Sequence, residues 1–230
     1  DDRDLSLGLI GVLSVVCLLL IGVLLHQFIG TGPLAAMRWP LVIGGVIFTL
    51  VIGAFVATVA GYMAGLIGSS NSPVSGIGIL ATVAAALLLA IFVQPRLGPQ
   101  STDTLVAFAL FATSVVFAVA AIANNNLQDL KTGQLVDATP GKQQWALVVG
   151  VIAGALIIPP VLNVVNHAYG FLGAPGVNPA HALPAPQAGL ISALAQGVIQ
   201  NDIPLGPLAV GGVIGAVCIL FDEVLRRVVK

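Results

Sequence analysis

Long runs of apolar residues dominate the pattern of this chain, and short polar segments separate them. A spanning helix needs about 20 apolar residues to cross a hydrocarbon core of roughly 30 Å. Six runs reach or approach that length and predict membrane-spanning helices at residues 6–25, 40–66, 76–93, 104–123, 144–165 and 205–221. The loops between them are predicted at 68–76, 94–103, 124–143 and 166–186.

A further apolar segment, 187–199, is shorter than a crossing requires. A Pro- and Gly-rich stretch precedes it, and Asp202 and Pro204 follow it. A helix of this length fits a re-entrant or interfacial segment better than a span. The pattern therefore predicts an all-α, polytopic membrane domain over 1–230, with about six transmembrane helices and one re-entrant or interfacial helix.

The composition supports a membrane protein and excludes several other classes. Apolar residues make up 58% of the chain and charged residues 7%, against roughly a quarter charged in soluble domains. So few charges cannot cover a soluble surface. The net charge of −1 offers no basic face for a nucleic acid. Since His26, His167 and His181 lack metal-ligand spacing, no metal site and no cofactor is predicted.

The positive charges test the topology, because cytoplasmic loops of membrane proteins carry an excess of Lys and Arg. If 187–199 does not cross, one side carries six of the eight basic residues and the other carries only Arg38 and Arg96. If it does cross, the split is three against five and the bias nearly vanishes. We therefore expect 187–199 to be re-entrant and both ends of the chain to be cytoplasmic.

The polar segment 68–76 lies between two apolar spans and predicts a helix break. Pro73 lacks a backbone donor, and Gly68 and Gly76 permit a positive φ. Because broken backbone at membrane depth needs protein or a water-filled cavity to satisfy it, we expect this segment to line an internal polar cavity. The candidate substrate-binding residues here are Ser70, Asn71, Ser72 and Ser75. The alternative is an ordinary polar turn at the surface.

A second polar segment begins at Asn124 and continues directly from a predicted span. Its candidate substrate-binding residues are Asn125, Asn126 and Gln128. Asp129 is the candidate proton carrier, since an ionisable group close to a span often has that function. The alternative is a solvated loop acid paired with Lys131.

Two further patterns concern the helices themselves. Pro159 and Pro160 predict a break in the fifth span. Glycines four residues apart let helices approach closely, and three such pairs occur, at 61 and 65, 150 and 154, and 211 and 215. They favour packing within the chain, and a homo-oligomer seam is the alternative.

The two polar segments carry a family resemblance. Residues 61–76 resemble the signature of the oligopeptide transporter (OPT) family, especially its prokaryotic members. The run from Asn126 to Gly133, with Thr139-Pro140 and Lys142-Gln143-Gln144 after it, is similar to a second motif of that family. The stretches 158–160 and 182–187 fit the same pattern, so the resemblance extends over about 26–227. It implies a piece of the C-terminal half of a longer transporter, partnered by that protein's N-terminal half.

The resemblance implies a function as well as a fold. It implies proton-coupled secondary transport of short peptides or metal–chelate complexes in a bacterial or archaeal inner membrane, with no enzymatic activity. No Walker motif is present to supply ATP energy, and any metal arrives inside its chelator. Two alternatives remain open: an intramembrane serine protease using Ser72 or Ser75 with His167, and a non-transporting assembly subunit.

Overall fold

The computed structural model describes residues 4–172, 174, 176–202 and 205–228, and they are almost entirely helical. The helices are α1 (Leu7–Ile29), α2 (Arg38–Ile67), α3 (Val74–Phe92), the short α4 (Gln94–Leu97), α5 (Thr102–Leu135), α6 (Pro140–Ala168), α7 (Pro186–Gln200) and α8 (Leu205–Val228). Among these residues the strand-like pairing is limited to one isolated bridge between Phe171 and Leu183. The predicted all-α membrane fold is confirmed.

Local chemistry explains where several helices begin and end. Ser6 caps α1, because its side chain accepts a hydrogen bond from the backbone N–H of Leu9 at 3.3 Å. Serine is a preferred residue at the N-cap of a helix for this reason. Gly30 ends α1 with a φ of +49°, a backbone conformation that glycine adopts readily. Pro140 begins α6, where its missing N–H costs no intrahelical bond.

Five helical segments of the described chain are long and apolar enough to cross a membrane. They are Leu7–Ile29, Ala35–Ile67, Val74–Phe92, Pro99–Leu135 and Pro140–Ala168. The sixth predicted span, 205–221, falls within α8, which is not among these five. The segment predicted to be too short for crossing forms α7, a helix of 15 residues.

The core of the bundle is built around the pairing of α2 with α5. These two helices make the most extensive contact in the described chain, and α3 and α7 both pack on α5 and on each other. The fully buried side chains include Leu25, Val56, Leu105, Val116 and Ile199. Four helices thus enclose the apolar centre, and α1 packs against α2.

By contrast, α6 and α8 lie at the margin of the bundle. None of the α6 side chains is buried, and neither is any α8 side chain that the structure describes. Their surfaces are rich in exposed Val, Ile and Leu. Such surfaces suit contact with lipid or with further transmembrane helices.

The predicted loops are shorter than expected. α5 continues through the polar segment to Leu135, so only residues 136–139 connect it to α6 and the predicted loop 124–143 is wrong over most of its length. Residues 94–103 contain α4, a 3₁₀ turn and the start of α5, and 68–76 contracts to 68–73 because α3 begins at Val74. The loop 166–186 contracts to 169–185. Polar residues with good helix propensity do not end a helix.

The predicted break at Pro159 and Pro160 is also wrong. α6 runs through both prolines without interruption. A proline inside a helix removes one N–H donor from the ladder, so the carbonyls of Ala155 and Leu156 lose their usual donors while the helix continues.

Candidate functional site

The connection between α2 and α3 is a six-residue break, 68–73, in an otherwise helical stretch. Gly68 ends α2 in the left-handed conformation with a φ of +73°, and its N–H donates to the carbonyl of Ala64 at 2.8 Å. Pro73 stands at the N-cap of α3. Gly76 lies inside the first turn of α3, so the prediction that Gly76 belongs to the break is wrong.

A buried asparagine of α5 anchors this break. Asn124 is 3% exposed, and its Nδ2 donates to Ser70 Oγ at 3.1 Å. Ser72 Oγ lies 2.6 Å from Asn124 Oδ1 and 2.7 Å from the carbonyl oxygen of Ala60. A hydroxyl has one proton, so Ser72 donates to one of these two acceptors at a time. The α2–α3 break and α5, which carry the two family-like motifs, thus meet at Asn124.

α2 also packs closely against α5 near Asn124. A Cβ atom on Gly61 would lie 3.3 Å from the side chain of Leu127, and one on Gly65 would lie 3.6 Å from it. One on Gly68 would lie 3.2 Å from Lys131. The glycines of α2 therefore let α5 approach closely. For Gly61 and Gly65, the structure shows the predicted packing within the chain. By contrast, a Cβ atom on Gly150, Gly211 or Gly215 would meet no atom of a neighbouring helix within 4 Å in the described chain.

Asn71 is turned toward its own segment. With its amide nitrogen facing inward, it donates to the carbonyls of Met63 and Ser69 at 3.1 and 3.2 Å. These bonds connect Asn71 to Met63 in α2 and to Ser69 in the break. The residue itself is exposed, as are Ser69 and Ser70.

The other predicted substrate-binding residues are dispersed. Asn125 is exposed and lies beside Asn124, whose Nδ2 is 3.4 Å from Asn125 Oδ1. Asn126 and Gln128 are half-buried, and Ser75 is exposed at the start of α3. Within the described ranges, none of these three side chains hydrogen-bonds to the Asn124 side chain or to the 68–73 break. The structure brings together Ser70, Ser72, Asn124 and Asn125, which we call the Ser–Asn cluster.

Asp129 lies in the helical part of the second motif. It is exposed on α5, one turn beyond Asn125. Lys131 Nζ contacts Gln134 Oε1 at 3.3 Å, and in the part of the chain that the structure describes no ion pair joins Lys131 to Asp129. The loop position and the pairing with that lysine in the alternative prediction are wrong, whereas the carboxylate is exposed, as that alternative expected. Glu223 does pair with Arg226 and Arg227.

Two cavities of the bundle lie away from this cluster. One, of about 260 Å³, lies between α2, α3 and α5 and is lined by residues such as Phe48, Leu89 and Phe108. A second, more open one of about 650 Å³ lies between α1 and α2. Neither includes any residue of 68–76. Ser70 and Asn125 of the Ser–Asn cluster are exposed on this chain, whereas Ser72 is half-buried and Asn124 is buried.

The arrangement does not resemble a hydrolytic site. The Ser72 hydroxyl is engaged by Ala60 and Asn124, and His167 Nδ1 contacts the carbonyl of Asn163 in its own helix at 2.8 Å. The described residues contain no group of three His, Cys, Asp or Glu side chains able to hold a metal ion. What the cluster offers is a set of uncharged donors and acceptors.

Comparison with known proteins gives a consistent result. The family model described as "OPT oligopeptide transporter protein" matches residues 2–230. A Haemophilus influenzae protein named "Putative oligopeptide transporter" is 42% identical over 99% of this chain. The chain spans 37% of the length of that relative. No solved structure matches the chain.

Proposed function

This chain belongs to the OPT oligopeptide transporter family, and from that premise we propose that it is part of a proton-coupled secondary transporter of short oligopeptides or metal–chelate complexes. The observation that carries the proposal is the helix break at 68–73, held against α5 by the buried Asn124. Membrane transporters form their binding sites where helices are interrupted, because the freed backbone groups and nearby polar side chains can bind substrate.

The chemistry of the cluster suits a polar substrate. Ser70, Asn71 and Asn125 are exposed and offer hydroxyl and amide groups, which donate and accept hydrogen bonds with the amides and carboxylate of a short peptide. The same groups also suit the oxygen and nitrogen atoms of a chelator around its metal. Peptide and chelate therefore remain the two substrate classes.

The rest of a longer protein completes the proposed pathway. Ser70 and Asn125 of the Ser–Asn cluster are exposed on this chain, and none of the described side chains of α6 and α8 is buried. The relative from Haemophilus influenzae is much longer than this chain. We propose that the N-terminal half of the same transporter covers these faces and encloses the cluster in a polar cavity within a bacterial or archaeal inner membrane.

Uptake by the intact transporter in proteoliposomes tests the function. With an acidic exterior, labelled trialanine or labelled ferric citrate should accumulate above the level in protein-free liposomes, and a protonophore should abolish accumulation. Competition by the unlabelled compounds then separates the two substrate classes. Absence of both uptake and exchange would reject transport and favour an assembly subunit. Accumulation that survives the protonophore would reject proton coupling alone.

A further inference from the structure

Asn124 connects the α2–α3 break to the rest of the bundle. Within the described residues, all hydrogen bonds from 68–73 to α5 involve the Asn124 side chain, through Ser70 and Ser72. Asn71, by contrast, bonds back to its own segment. The hydrogen bonding between the break and α5 therefore depends on one amide.

Packing of α2 on α5 does not need this amide. Gly61 and Gly65 already lie against Leu127 on the same side of the helix pair, and Ala120, one turn before Asn124, is buried at 1% exposure. An alanine at 124 would continue that apolar face. Burying an amide costs free energy unless it is hydrogen-bonded, so the residue is suited to holding the loop and not to joining the helices.

We propose that Asn124 is a positioning residue of the transporter: by holding Ser70 and Ser72, it fixes the exposed polar groups of the break beside Asn125 on α5. The effect on substrate rests on the proposed function, whereas the effect on loop conformation does not. Asn124 itself is buried and acts through the residues that it orients. Misplacing such groups by about 1 Å can cost on the order of a hundredfold in activity.

The test combines loop mobility with transport kinetics in the intact protein. A spin label on Ser69→Cys, in a background lacking Cys17 and Cys218, reports the mobility of the break. Asn124→Ala should increase that mobility and raise KM for labelled trialanine about tenfold, equivalent to about 1.4 kcal/mol, with a smaller change in maximal rate. Thr113→Val is the matched control and should change neither quantity. Among the described residues, its buried hydroxyl bonds only to carbonyls of its own helix, those of Ala109 and Leu110.

A double-mutant cycle separates positioning from general destabilisation. If Asn124 acts through the loop hydroxyls, Asn124→Ala and Ser72→Ala should be non-additive in KM, because they remove the same interaction. If Asn124→Ala does not fold, the Ser70→Ala/Ser72→Ala double variant takes its place. It removes the hydrogen bonds to Asn124 by changing the loop residues, and it should raise the mobility of the spin label equally.

Two results would overturn the proposal: unchanged label mobility in both variants, or a loss of folded protein with KM unaltered. Failure of the proposed function has a different signature. In that case the wild type transports neither trialanine nor ferric citrate, while the label mobilities still follow the order predicted for Asn124.

Discussion

Asp129 lies one helical turn beyond Asn125, and both side chains are exposed on the same side of α5, as residues four apart on a helix are. Lys131 contacts Gln134 instead of this carboxylate. Among the described residues, no ion pair joins Lys131 to the Asp129 carboxylate. The place of Asp129 beside the Ser–Asn cluster supports the proposed coupling role.

Replacing Asp129 by Asn in the intact transporter should therefore abolish coupling while retaining binding. We expect pH-driven accumulation of labelled trialanine to fall to the level seen without a gradient, and exchange at zero gradient to persist. Asp137→Asn is the control, since Asp137 is an exposed acid in the α5–α6 connection. Loss of both activities would identify Asp129 as structural or substrate-binding, and retention of both would remove it from the mechanism.

Single residues also show what sequence reasoning missed. The candidate set included Asn125 and Asn126 but not Asn124, although Asn124 is the buried member of the three. Residue type alone cannot distinguish consecutive asparagines. The available signal was periodicity: Val116, Ala120 and Asn124 are spaced four apart and all are buried, which is the spacing of one helix face.

At the scale of helices, apolar runs predict where spans lie but not where helices end. The run at 104–123 became α5, Thr102–Leu135, a helix of 34 residues and therefore about 51 Å long at 1.5 Å per residue. That exceeds a hydrocarbon core of roughly 30 Å. The polar extension stays helical because Leu, Gln and Lys favour helices, and because the Asn124 amide has partners in the neighbouring loop.

The α2–α5 contact gives a prediction at this scale. Gly61→Ile should destabilise the intact protein by about 1–3 kcal/mol, as overpacking typically does, because its side chain would displace Leu127. Gly44→Ile is the same change on the same helix, but Gly44 lines the 260 Å³ cavity and has no neighbour within 4 Å. Thermal unfolding of the purified protein should show a lowered Tm for Gly61→Ile alone. Equal Tm values would contradict the close packing.

For the whole molecule, the contacts show which helix ends lie together. The backbone N–H of Leu5 donates to Gln144 Oε1 at 3.0 Å, which places the start of the chain beside the start of α6. Gly68 lies against Lys131, so the α2–α3 break shares a region with the second motif. Met37 and Arg96 line one cavity together. The contacts at Leu5 and Gly68 join like ends of parallel helices, α1 with α6 and α2 with α5, and Met37 and Arg96 lie at the opposite end of the bundle, as the predicted alternation of spans requires.

The path of α7 determines on which side of the membrane α8 begins. At 15 residues it is about 22 Å long at 1.5 Å per residue, shorter than a crossing, and its buried residues Ala195, Val198 and Ile199 pack into the bundle with α3 and α5. A crossing would also reduce the charge bias from six against two to three against five.

If α7 is re-entrant, Ala182→Cys and Asp202→Cys are both labelled from the outside by a membrane-impermeant maleimide in sealed cells. Cys17 and Cys218 are exposed free thiols and are replaced first. Gln100→Cys should mark the outside and Gln134→Cys the inside. Labelling of 182 but not of 202 until the membrane is permeabilised would show that α7 crosses, and would place the Arg226–Arg227 end of α8 on the outer side, against the charge bias.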